Sequence, residues 1–221
     1  MKKYLSLFLI LILSITFLPT YTCAQPTPSM FDDEMHLKGF VDKYKDVPKE
    51  ILLEMIKDDT LTNFKTAAAV NVFKNTFSEQ SVSKEKRRVE RILIRSLKDT
   101  TSPFVQVEIM GTLIRIDRYK YFKPMVPKLI SKLNHYNSVV NKLAFDNLDY
   151  SIKTGDDRPR EARIAFNTLR KMFFLMRNRL TDMDPTENPQ LSYKLSLLRW
   201  SIKVLGNDHL KKLPNEVLNL L

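Results

Sequence analysis

The sequence is poor in glycine, with four in 221 residues (Gly39, Gly111, Gly155 and Gly206), which leaves nothing from which to build a glycine-rich phosphate loop. It holds one cysteine, Cys23, and three scattered histidines, His36, His135 and His209. That excludes a disulfide framework and a Cys/His zinc site. Neither Gly-x-Ser-x-Gly nor His-Glu-x-x-His occurs, so the local contexts of a nucleophile elbow or a zinc-peptidase helix are missing. Asp182-x-Asp184-x-x-Glu187 has the outline of a calcium loop but lacks the mid-loop glycine, and Tyr193 stands where a twelfth-position Glu is required. On these grounds no catalytic residue, cofactor site or metal site is expected. Asp146, Asp149 and Glu108, on the expected inner helices, are the only carboxylates worth checking as an acid or base.

What is present begins with an address. Lys2 and Lys3 precede an uncharged apolar run from Tyr4 to Leu18, Pro19 breaks it, and Thr22-Cys23-Ala24 supplies small residues. This is the order of a secretory signal peptide, cut after about Ala24, and it predicts export to a periplasm or the outside. The run is short for a span, which needs about 20 residues, and no second run of that length follows. The mature chain is therefore expected to lack a transmembrane span. An uncleaved anchor is one alternative; a lipidated Cys23 is another, although Thr20, Tyr21 and Thr22 depart from the Leu-x-small-Cys pattern. Gln25–Met35 mixes proline with acids and lacks periodicity, which reads as a flexible tether. The expected organisation is a signal peptide at 1–24, a tether and leading helix at 25–46, and one folded domain at 47–221.

From Val47 onward the apolar period is helical and stop signals recur regularly. The spacing predicts helices over Pro48–Lys57, Leu61–Phe77, Ser83–Lys98, Pro103–Ile116, Pro124–Asn134, Ser138 to Gly155, Pro159–Leu180 and Leu191–Leu205, with a terminal amphipathic segment at Leu210–Leu221. Ser102-Pro103 is a start signal, a capping hydroxyl followed by proline at the first helical position. The Pro103 helix carries two apolar stripes, Val105/Ile109/Leu113/Ile116 and Val107/Met110/Ile114, so two neighbours must cover it. Gly111 lies within it, either to allow a close helix crossing or simply as a tolerated residue.

Pro127-x-Leu129-x-x-x-Leu133-Asn134, followed by Val140-x-x-Leu143-Ala144-x-x-x-Leu148, resembles a HEAT repeat. Leu97-Lys98-Asp99 with Val105, Ile109 and Leu113 repeats the rhythm about 36 residues earlier, in the range of two-helix repeats. The resemblance to the HEAT/armadillo-like family covers about Val47–Gly206. It implies an all-α fold, a short right-handed α-solenoid of about four helix pairs, and a role in protein binding. One departure stands out: the Val-Arg pair usual in such repeats is replaced by Val105-Gln106 and Val140-Asn141, with Asp99 and Asn134 ahead of them. An irregular helical bundle is the alternative architecture.

Charge is the most informative feature. The formal net charge is +11, and +9 once Lys2 and Lys3 are removed with the signal peptide. Lys84–Lys98 contributes +5 and Arg158–Arg179 contributes +6, so the remainder of the mature chain is slightly acidic. Lys84, Arg88, Arg91 and Arg95 share one side of the first helix, and Arg163, Arg170 and Arg177 recur every seven residues along the second. Stacked in register, these helices flank the Pro124 helix, whose Lys123, Lys128 and Lys132 would fill the gap in one cationic face. Arg118–Lys123 alternates cations with Tyr119, Tyr121 and Phe122, a turn that could stack on a partner or plug a joint between repeats. The expected function is an exported, non-enzymatic adaptor or scaffold with a protein partner. The alternative is direct binding of an anionic envelope polymer or membrane surface through the basic face. Export argues against nucleic acid despite the basicity.

Overall fold

The computed structural model describes residues 30–79, 83–154 and 158–221, apart from the side chains of residues 30, 31, 83 and 84. The signal sequence, Gly155, the Asp156–Asp157 pair and the side chain of Lys84 lie outside the described set. Among the described residues the chain is all-α, without strands. The helices are α1 (Met30–Tyr44), α2 (Lys49–Lys57), α3 (Asn63–Thr76), α4 (Ser83–Asp99) and α5 (Pro103–Ile116). They continue with α6 (Arg118–Lys132), α7 (Ser138–Lys153), α8 (Pro159–Leu180) and α9 (Pro189–Leu205), then a 3-10 turn (Asn207–Lys212) and α10 (Asn215–Leu218).

Consecutive helices pair, α2 with α3, α4 with α5, α6 with α7 and α8 with α9. Second members also pack on one another, α3 on α5, α5 on α7 and α7 on α9. First members do so as α2 on α4 and α6 on α8. The central element is α5, which packs on α3, α4, α6 and α7. Its two apolar stripes are both buried, as a helix covered from several sides requires. Gly111 serves the crossing with α7: a Cβ built there would overlap the side-chain amide of Asn147.

Four local readings are corrected. Met30–Met35, read from sequence as tether, is helix, because α1 starts at Met30; Asp32 and Asp33 in its first turn and Lys43 in its last complement the helix dipole. Leu37, Phe40, Val41 and Tyr44 hold α1 against the core, and Asp33 accepts a 2.6 Å hydrogen bond from Asn137 at the start of α7. Arg118–Lys123 is helix, not turn. Asp117 caps it by accepting from the Lys120 amide at 3.0 Å, and the buried Tyr121 and Phe122 anchor its first turns. Pro124 and Pro127 therefore stand inside α6, each removing one backbone hydrogen bond. Ser102 opens α5, but its hydroxyl makes no cap bond and is buried without a partner. The C-terminal segment is broken by Pro214 into the 3-10 turn and α10, whose Val217 is buried. Gly206 ends α9 as its φ of 90° requires, with its amide 2.8 Å from the Ile202 carbonyl.

Candidate functional site

Two concentrations of charge exist, one buried and one open. The buried one is a seam through α3, α5 and α7. Lys74 Nζ lies 2.5 Å from Glu108 Oε2 and donates to Asn147 Oδ1 at 2.9 Å. Asn71 donates to the other Glu108 oxygen at 2.9 Å. Toward the helix ends, Arg115 donates to Asn75 at 2.9 Å and lies 3.6 Å over the Tyr150 ring, whose hydroxyl donates to Glu79 at 2.6 Å. Both Glu108 oxygens accept a hydrogen bond within the seam, and the side chain is fully buried. Asp149 pairs with Lys153 at 2.7 Å. Asp146 faces Lys142 at 3.6 Å, and burial raises its carboxyl above the usual value. Of the three carboxylates singled out from sequence as acid–base candidates, Asp146 and Asp149 pair with lysines of their own helix and Glu108 with Lys74, and the charges of Lys74 and Glu108 also act on Asp146.

A further buried cation had no sequence signal. Lys194 on α9 is 2 % exposed, and burial pushes its ammonium down to about 8. It shares a face with Gln190, which reaches Asn141 at 2.9 Å, and follows Tyr193, which stacks on Phe145. Asp184 turns back on Thr186, accepting from its amide and hydroxyl at 2.8 Å, which makes the Asp182–Glu187 stretch a hydrogen-bonded loop. No cluster of metal-ligating side chains occurs among the described residues.

The open charge lies on α4, α6 and α8. Helix α6 packs along α8 and is tied to α4 by Lys120–Glu90 at 2.5 Å, which also holds the Lys120 ammonium above its ordinary value. Lys86 of α4 faces Asp117 at 3.6 Å. Helix α6 therefore stands between the two basic helices. On α4 the stripe is largely engaged: Arg88 with Glu50 at 2.9 Å, Arg95 with Asp99 at 3.7 Å, and Arg91 through Nε with its own helix at the Arg87 carbonyl. Arg88, Arg91 and Arg95 also line a cleft of about 630 Å³ between α2 and α4, but Asp58, Asp59 and Asp99 line it too. Its charge is mixed.

On α8 the arrangement is different. Arg160, Arg163, Arg170, Lys171, Arg177 and Arg179 share the helix with one acid, Glu161. Glu161 is buried and held by Arg118 at 2.6 Å. None of the six cations has an ion pair or side-chain hydrogen bond among the described residues. Lys123 and Lys128 add exposed charge from α6, whereas Lys132 turns aside to Gln106 at 2.8 Å and does not bridge the stripes. Of the aromatic trio, Tyr119 is 83 % exposed, while Tyr121 and Phe122 are buried, so a contact role is open to Tyr119 alone.

The sequence reading missed what stands among the α8 cations. Leu175 is 90 % exposed and Phe174 44 %. The signal was available: Met172–Met176 is five consecutive apolar residues, more than one full helical turn, so some had to face outward. Beside them a groove of about 410 Å³ runs between α6 and α8, lined by Pro127, Asn134, Asn167, Lys171 and Leu175 among others. The chain matches no family model, no curated protein and no solved structure. The site is therefore read from its own chemistry.

Proposed function

We propose that this protein is an exported, non-catalytic helical-repeat module, an adaptor or scaffold that works by surface contact. Its architecture in this reading is a short right-handed solenoid of about four HEAT-like helix pairs. The sequential pairing of α2/α3, α4/α5, α6/α7 and α8/α9 supports it. The observation that carries the functional reading is the set of six unpaired cations on α8, beside a neighbour that contributes no acid of its own. Cations that serve neither fold nor neighbour are available to an anionic partner, and they steer its approach over about a Debye length, roughly 8 Å at physiological ionic strength. Crosslinked co-purification from the exported compartment tests the adaptor role: a defined partner should be recovered by the native chain and lost with R163E/R170E/R177E. Recovery of the same proteins by both chains removes α8 from the contact.

A second reading, direct attachment to an anionic envelope polymer or membrane surface, is favoured by Leu175 and Phe174. Apolar side chains held outward among cations suit a surface that is charged on top and apolar beneath.

A further inference from the structure

We infer that the open side of α8 is a membrane-contact ridge, which seats on the anionic phospholipid headgroups of a bilayer and inserts Leu175 and Phe174 between them. The inference rests on the surface-attachment reading and names its occupant.

Arg163, Asn167, Lys171, Leu175 and Asn178 are exposed at intervals of three to four residues, which places them on one side of the helix. Phe174 stands beside Leu175. From Arg163 to Asn178 this side runs about 22 Å along the 22-residue helix. It is a ridge, and Leu175 projects from it with nine-tenths of its surface in water. A protein partner would have to supply a pocket for that leucine and carboxylates for cations spread over the whole helix. A headgroup plane meets all of these demands at once. Long Lys and Arg side chains stay at phosphate depth while short apolar ones pass below it.

The groove between α6 and α8 extends the match. Lys171 supplies an ammonium, and Asn134 and Asn167 supply amide donors. No carboxylate lines it, and Pro127, Met172 and Leu175 make its apolar part. That is a phosphate-compatible polar wall joined to an apolar floor. The charge is one-sided over the whole patch: α6 has no acid, and the single acid of α8 is held by Arg118. Asp182 and Asp184 follow α8 only at its C-terminal end. No described helix is long and apolar enough to cross a membrane, so the contact proposed is a surface one.

The test is co-sedimentation of the full chain with vesicles of phosphatidylcholine alone and of phosphatidylcholine mixed with phosphatidylglycerol, at low and high salt. Binding is expected to the mixed vesicles only and to weaken with salt. R163Q/R170Q/R177Q should lower it about 100-fold, from about fivefold for each of the three cations at an anionic surface. Leu175→Glu should lower it about tenfold with thermal unfolding unchanged, since the side chain contacts water in the free protein. Leu175→Trp should be quenched by brominated phosphatidylglycerol at mid-chain, which reports insertion directly. Equal binding to both vesicle types, or full binding by both loss variants, overturns the inference. Retention on a polyglutamate resin through the same arginines without vesicle binding leaves the anionic-contact reading standing and removes the bilayer. Absence of both defeats both.

Discussion

The seam through α3, α5 and α7 and the open side of α8 both gather charge, and they treat it in opposite ways. Lys74 is buried, and Glu108 and Asn147 occupy its ammonium. On α8, six cations share a helix with one carboxylate that a neighbouring arginine already holds. Taking a charge out of water costs several kcal/mol, so an interior cation must be matched. A solvated cation carries no such cost, and leaving six unmatched keeps them free for association. Helix α4 lies between these cases. It carries seven cations to the six of α8, yet Lys86, Arg88 and Arg95 find carboxylates in Asp117, Glu50 and Asp99. The density of Lys and Arg along a chain therefore does not locate a contact surface; the carboxylates of neighbouring elements do.

The largest expected effect is in the seam. Glu108→Ala leaves Lys74 buried without its counter-charge and should cost about 3–5 kcal/mol in urea unfolding. A loss below about 1 kcal/mol would mean that water reaches the pair and that the contrast with α8 is one of degree. Gly111→Ala comes next. Its methyl group overlaps the Asn147 amide that holds Lys74, so a cost of about 1–3 kcal/mol is expected, with the double substitution Gly111→Ala/Asn147→Ala less than additive.

Lys194 sharpens the comparison from the other side, as a buried cation for which no partner is described. Its native ammonium titrates near 8 against an ordinary value of 10.5. Between these values the unfolded chain holds a proton that the native chain has lost, so stability rises with pH across that window; below it the full penalty applies. Lys194→Met should stabilise the protein at neutral pH by roughly 1–3 kcal/mol and abolish the rise. A variant no more stable than the native chain would show that the ammonium is solvated. The smallest effect belongs to the open face: R163Q/R170Q/R177Q should leave stability within about 0.5 kcal/mol, measured by the same urea titration.

Much of the helical order was legible, because apolar periods and punctuation act locally. Asn137 caps α7, accepting from the Val139 amide at 2.9 Å, and Gly206 closes α9. Arg118–Lys123 was not, since Lys123-Pro124 is itself a good start signal. What outweighs it is the burial of Tyr121 and Phe122 together with the Asp117 cap, and burial depends on tertiary contacts. The same limit applies to the site. The arginine stripes are plain in the sequence, but whether each arginine is free depends on acids far along the chain, as Glu50 is from Arg88 and Glu161 from Arg118. Lys74 and Lys194 sit in helical patterns where a lysine is expected at the surface. Only the neighbouring helix shows otherwise.

The central claim is that α8, and not α4, is the contact face, and it is tested most directly by salt elution from a polyglutamate resin. Two triple variants are run beside the native chain, R163Q/R170Q/R177Q on α8 and R88Q/R91Q/R95Q on α4. Both lose three charges, so net charge cannot separate them. The expected result is that the α8 variant elutes at clearly lower salt, with the α4 variant close to native because Arg88 and Arg95 were already engaged. Equal shifts, or an earlier elution of the α4 variant, would contradict the claim.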